Sequence, residues 1–188
     1  MIIIIDNYDS FTHNLVQYAG ELKYSITVVK NDKIKIRDIE KKRPTHIIIS
    51  PGPGKPQDAG ICIEVIKTYG NEIPILGICL GHQAIGNVHG GLIKKLKTPV
   101  HGKVDYIFNN QKDIFKGIKN KFEATRYHSL IVDKTTLPKE LEITAWTKDS
   151  IVMGFKHKSY NKLQGIQFHP ESLWTKEGKK IIKNFLLS

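Results

Sequence analysis

The residues best placed to do chemistry in this 188-residue chain form two short groups. The first is Gly77-Ile78-Cys79-Leu80-Gly81, which has the form G-x-C-x-G. A serine in that frame sits on a sharp strand-to-helix turn, exposed and backed by a helix N-terminus. With cysteine there, the helix end favours thiolate, and the Leu80 N–H points at any oxyanion formed by attack of the sulfur on a carbonyl. The glycines stand where side chains would collide. A buried core cysteine is the competing reading, since the thiol packs as a small hydrophobe. Cys62, in DAGICIEVI, has no such glycine cage and takes the core reading. For Cys79 the spacing alone leaves both open.

The second group is Gly165-Ile166-Gln167-Phe168-His169-Pro170-Glu171. A cysteine nucleophile needs a base, and the base needs a partner that orients it. Residues two apart in an extended chain point the same way, so His169 and Glu171 can act together as base and orienter. None of the other seven histidines has an acid two residues on. Zinc is not indicated: His82 and His89 are seven apart and there is no Cys-x-x-Cys pair. A third stretch, Ser50-Pro51-Gly52-Pro53-Gly54-Lys55-Pro56, is a rigid loop whose glycine N–H groups can approach a ligand closely. It lacks the spacing of a phosphate-binding loop and, alone, reads as an ordinary connection.

Several elements must position these groups. Ile2–Ile5, Ile26–Val29, His46–Ile49 and Ile73–Ile78 read as strands. Between them, helices are expected from Ser10 or Thr12 through Leu22, over Ile34–Lys41 and Asp58–Tyr69, and then over Gly81–His89. This alternation predicts an α/β fold with an open, mostly parallel sheet covered by helices on both faces. After Gly91 the pattern shortens to a smaller antiparallel β portion: Leu92–Lys95, Lys103–Phe108, Glu142–Thr147, Ile151–His157 and Gln164–Phe168. Hairpin turns are expected at Asn109–Asn110 and Lys148–Asp149, and a last helix at Thr175–Leu187. No linker or repeat divides the chain, so residues 1–188 read as one domain. Ligands in such sheets bind beyond the carboxyl ends of the strands, where Asn7–Thr12, Pro51–Pro56, Cys79–Gln83 and His169–Glu171 all fall.

Composition narrows the function classes. The net charge of +11 does not make a nucleic-acid reader, because all but three of the 29 basic residues (Arg37, Arg43, Arg126) are scattered lysines. The abundance of Lys, Ile and Asn resembles the bias of an AT-rich genome. The opening MIIIID is a buried strand, too short for a signal peptide or a membrane span. Two cysteines make no disulfide framework, so a reducing compartment is expected: cytoplasm, or plastid stroma for an organelle-encoded chain.

Four stretches, SPGPGKP at 50–56, GICLGHQAIG at 77–86, ATRYHSLIV at 124–132 and GIQFHPES at 165–172, together resemble the class I (triad) glutamine amidotransferases nearly end to end. The resemblance implies a flavodoxin-like fold, with Cys79 as nucleophile and His169 and Glu171 completing the triad. It further implies oxyanion-hole N–H groups from Gly54 and Leu80, and a glutamine site that includes Gly52, Pro53, Gln83, Ser129 and Leu130. The opening IDNYDSFTHNLVQY, with HGK at 101–103 and RYHSL at 126–130, is similar to the branch serving chorismate-using enzymes. That branch implies L-glutamine as substrate and a separate chorismate-using synthase subunit, anthranilate synthase component I or aminodeoxychorismate synthase component I. The product would be anthranilate for tryptophan synthesis, 4-amino-4-deoxychorismate for folate synthesis, or both. No cofactor is expected in this chain, with Mg²⁺ on the partner. Other readings are an amidotransferase subunit of another synthetase, such as GMP synthetase, a stand-alone γ-glutamyl hydrolase, and a non-catalytic regulatory subunit. The departures from the family pattern, Asn87-Val88-His89 and the polar VDYI after HGK, fall outside the catalytic groups.

Overall fold

The computed structural model describes residues 1–160 and 162–188. Its strands are β1 (Ile2–Asp6), β2 (Ile26–Lys30), β3 (His46–Ile49), β4 (Ile75–Ile78), β5 (Ile93–Asn109), β6 (Lys121–Val132), β7 (Leu141–Thr147), β8 (Val152–His157) and β9 (Leu163–Ile166). They form one nine-stranded sheet in the order β2-β1-β3-β4-β9-β8-β7-β5-β6. The first five run parallel and the rest pair antiparallel; the change of pattern after Gly91 marks this division except at β9, which joins the parallel set beside β4 and pairs antiparallel with β8. The helices are α1 (Thr12–Glu21), α2 (Ile36–Lys42), α3 (Cys62–Tyr69), α4 (Leu80–Val88) and α5 (Gly178–Leu186).

Period-two alternation in the central strands makes the two cores. Ile2 and Ile4 face Leu15 and Ala19 of α1 and Ile181, Ile182 and Phe185 of α5. Ile3 and Ile5 face Ile39 of α2, Val65 and Ile66 of α3, and Ala84 and Ile85 of α4. A strand buried on both faces is therefore apolar at every position, which is why IIII opens the chain. Among the described residues, no helix is long and apolar enough to cross a membrane.

Several boundaries differ from the sequence reading, each for a local reason. Neither Ser10 nor Thr12 caps α1: the N-cap is Phe11, whose N–H bonds Oδ2 of Asp9 at 2.8 Å, while Thr12 Oγ1 donates to Asp6 Oδ1 at 3.2 Å. Helix α3 starts at Cys62 rather than Asp58 because a short 3₁₀ turn at Pro56–Asp58 and Gly60 at φ +53° intervene. The two expected runs 92–95 and 103–108 belong to one strand, β5, broken in register by irregularities at Lys95/Val100 and His101/Lys103. Strand β6 has no counterpart in the sequence pattern, and the link at Asn109–Asn110 is no tight hairpin: the chain passes a 3₁₀ turn at Asp113–Phe115 before β6 begins. Helix α5 starts three residues late because Thr175 Oγ1 is engaged, donating to the His169 carbonyl at 2.7 Å and accepting from the Thr125 N–H at 3.0 Å. Strand β9 stops at Ile166; beyond it the Gln167 N–H still donates to the Met153 carbonyl at 2.9 Å, and His169 bridges to Thr125.

Candidate active site

The turn from β4 into α4 is as tight as the glycine pattern demands. Cys79 is the N-cap of α4 at φ 51°, ψ −97°, a left-handed backbone that L-residues avoid and that persists only where the surroundings impose it. They do. A Cβ on Gly77 would lie 2.4 Å from the Gly81 carbonyl oxygen, and one on Gly81 would lie 2.8 Å from the Ile49 carbonyl oxygen. The helix therefore seats directly on the strand ends and fixes Cys79 at its N-terminus. The first N–H groups of α4, Leu80 among them, have no acceptor within the helix. Cys79 is 6% exposed, so a small part of it is reachable. Cys62 is fully buried, with its thiol pushed up to about 12 by burial.

Beside Cys79 stands the pair from the end of β9. His169 Nδ1 lies 2.5 Å from Oε1 of Glu171, and both side chains are buried. Burial would lower the His169 pKa, but Cys79 and Glu171 together outweigh it and hold the imidazole well above its ordinary value. Its Nε2 makes no well-formed hydrogen bond, and the Cys79 side chain is the group on that side. The pair is held from two directions. The His169 N–H donates to the Thr125 carbonyl of β6 at 3.0 Å, and Asn14 Nδ2 of α1 donates to the Glu171 carbonyl at 3.0 Å. A thiol, an imidazole and a carboxylate so grouped have the chemistry of a nucleophile, a base and its orienter, which suits acyl transfer.

Two clefts meet at this group. One is lined by Gly52, Pro53, Gly54, Cys79, Leu80, Gln83 and the Tyr127–Leu130 segment. It thus gathers every sequence-predicted binding residue, together with the candidate nucleophile. The other lies on the far side of Tyr127 and is lined by Phe11, Asn14, His169, Glu171, Leu173 and Trp174, among others. The loop at 50–56 is clamped into the first cleft by Asn7, whose N–H bonds Ser50 Oγ at 2.9 Å and whose Nδ2 bonds the Ser50 carbonyl at 2.8 Å. Asn31 holds the other end of the Asn7 amide at 2.9 Å. Gly52 is required there, since a Cβ would lie 2.4 Å from that of Asn7.

Sequence reasoning missed the support of the cleft wall. Arg126, 4% exposed, bonds Asp105 Oδ2 through Nη1 at 2.6 Å and His128 Nε2 through Nε at 3.1 Å. His128 is kept neutral, its pKa lowered to about 4 by burial and then by Arg126, so its Nδ1–H donates to the Leu130 carbonyl at 3.0 Å. The RYHSL stretch carries all of this, but nothing in its spacing marks which side chains turn inward.

Comparison with known proteins gives the family. Residues 3–188 match the family model "Glutamine amidotransferase class-I". The chain belongs to the class I glutamine amidotransferase family. A Pyropia yezoensis protein named anthranilate synthase component 2 is 55% identical over 186 residues, covering 99% of this chain and 98% of that one. Its namesake from Pseudomonas aeruginosa is 45% identical, over 99% of this chain and 94% of its own length. A solved Thermoplasma acidophilum protein, provisionally assigned to GMP synthase, superposes with a TM-score of 0.84 at 27% identity, covering 98% of this chain and 91% of that one. This amidotransferase therefore has the fold expected from its sequence.

Proposed function

We propose that the chain is the glutamine-hydrolysing subunit of an anthranilate synthase, with Cys79, His169 and Glu171 as its triad. The observation that carries the chemistry is the strained Cys79, set between the His169–Glu171 pair and a cleft lined by the glycine loop and Gln83. The branch rests on the relatives named anthranilate synthase component 2, which match over nearly the whole chain.

L-Glutamine lies in the first cleft with its side-chain amide over Sγ. The sulfur attacks the amide carbon, its proton having passed to Nε2 of His169, and the oxyanion is received by the N–H groups of Gly54 and Leu80. As the C–N bond breaks, His169 gives its proton to the departing nitrogen and ammonia leaves. A water then attacks the γ-glutamyl thioester, passing a proton to His169, and glutamate departs as Sγ is released. Glu171 holds the imidazole in the tautomer that keeps Nε2 toward the sulfur, and stabilises it when charged.

Ammonia released into water would be lost to the next reaction, so a synthase subunit of the chorismate-using kind covers the second cleft. Leu173 and Trp174, 85% and 69% exposed, stand at its rim with Phe11. Mg²⁺ and chorismate belong to that partner. The test mixes the chain with glutamine, chorismate, Mg²⁺ and either an anthranilate synthase or an aminodeoxychorismate synthase component I. Anthranilate formed with the first supports the proposal, and product with both makes it a shared subunit. Glutamine-dependent product with neither, while ammonia still serves both partners, overturns it.

A further inference from the structure

Gln167 is wholly buried, and the register explains where it lies. Strands β4 and β9 run parallel with Ile78 beside Ile166, and the Cys79 N–H continues the ladder to the Ile166 carbonyl at 2.8 Å. One step further along β9 puts Gln167 next to Cys79. Its Nε2 donates to Sγ at 3.5 Å. Its Oε1 accepts from Gln83 Nε2 at 3.2 Å, and that same nitrogen donates to the Leu130 carbonyl at 3.1 Å. With Oε1 pinned by a donor, the amide cannot turn over, and an N–H faces the sulfur.

Burying an amide costs free energy unless its groups are paired, whereas an apolar side chain of similar volume would fill the space without that requirement. An apolar wall would also leave a negative sulfur unsolvated. An N–H aimed at it does the reverse, because a hydrogen bond to a charged acceptor is roughly twice as strong as one to a neutral acceptor. Gln167, His169 and Glu171 stand at alternate positions just past the end of β9, so one strand end supplies all three.

We propose that Gln167 is a further member of the catalytic machinery, holding Sγ of Cys79 by a hydrogen bond that strengthens when the sulfur is negative, with Gln83 fixing its orientation. The inference rests on Cys79 being the nucleophile. It also joins the glutamine cleft to the sulfur, since Gln83 lines the cleft and bonds Gln167.

The test is alkylation by iodoacetamide across a pH series, read by peptide mass spectrometry at Cys79 and Cys62, in the parent chain and in Gln167→Met. Cys62 reports the fold, staying unlabelled while the core is closed. The expected result is a silent Cys62, a Cys79 profile whose midpoint moves up by about one unit, and glutamine hydrolysis about tenfold slower in kcat with KM little changed. If Gln167→Met opens the core and labels Cys62, Gln167→Glu decides: nearly isosteric, it still accepts from Gln83 but offers the sulfur no N–H, and its midpoint moves up further. An unmoved midpoint in a variant with silent Cys62 overturns the role of Gln167 and leaves the triad standing. A parent chain whose Cys79 reacts no faster than Cys62 overturns the nucleophile itself, and with it this inference.

Discussion

Acid should begin to destabilise this protein well above the pH at which carboxylates titrate, and the histidines set the size of the effect. His82, on α4 three residues after Cys79, is fully buried, stacks on Phe155 at 4.2 Å between ring centroids, and has a pKa lowered to about 3 by burial. His128 is lowered to about 4, by burial and then by Arg126. Both are neutral in the fold and take up protons near pH 6.5 once unfolded. Between pH 6.5 and 4.5 the unfolded chain therefore binds more protons, and stability falls as pH falls. From pH 7 to 4.5 each ring accounts for about 2 to 3 kcal/mol and the two for about 5 kcal/mol. That equals the whole stability of a marginal domain. His46, His89 and His157, also lowered by burial, push the same way. His169 does not oppose them: its raised pKa adds stability that is already complete below pH 6.5 and is lost only as pH rises through its folded value. Urea titrations followed by circular dichroism should show the midpoint falling by about 2 M between pH 7 and 4.5. The His82→Leu variant should lose about half of that pH sensitivity. A midpoint that is unchanged at pH 4.5, or a His82→Leu variant as acid-sensitive as the parent, refutes the reasoning.

Gly77→Ala and Gly81→Ala each drive a Cβ into backbone oxygen, at 2.4 and 2.8 Å, so steady-state assays should show glutamine hydrolysis falling about 100-fold or more as Cys79 is displaced. Gly20→Ala in α1 meets only Ile26 Cδ1 at 3.9 Å and should instead raise the thermal midpoint, by about 0.5–1 kcal/mol of stability. Arg126→Met leaves His128 Nε2 and Asp105 without their donor, so calorimetry should show a loss of about 1–3 kcal/mol and kinetics a raised KM for glutamine. Leu173→Asp and Trp174→Asp alter exposed side chains, so stability should change by less than about 0.5 kcal/mol while glutamine-dependent product in the mixed complex is lost.

The elements of the candidate site are legible in the sequence because each is carried by a local constraint. The G-x-C-x-G frame leaves room for a helix to sit on a strand end, and the two-residue spacing of His-Pro-Glu lets its two side chains meet, although the chain turns at 170–171 rather than staying extended. The parallel half is equally plain, since strands buried on both faces are continuous runs of isoleucine. Strand β6 escapes notice because KFEATRYHSLIV is half-buried and lacks strict alternation, its place being set by pairing with the irregular β5. Its inward residues, Arg126 and His128, read as ordinary polar positions until Asp105 is brought across the sheet to meet them. Gln167 is hidden for a similar reason. It stands two residues before His169, but only the β4–β9 register places it beside Cys79.

The central claim is that Cys79 carries the glutamyl group during turnover. The chain would be mixed with glutamine, quenched in acid within the first turnovers, digested, and examined by mass spectrometry. The account predicts a γ-glutamyl adduct on the peptide containing Cys79, none on that containing Cys62, and neither adduct nor hydrolysis in Cys79→Ser. Glutamine hydrolysis that persists in Cys79→Ser, or turnover by the parent chain with an adduct on another residue, would contradict it.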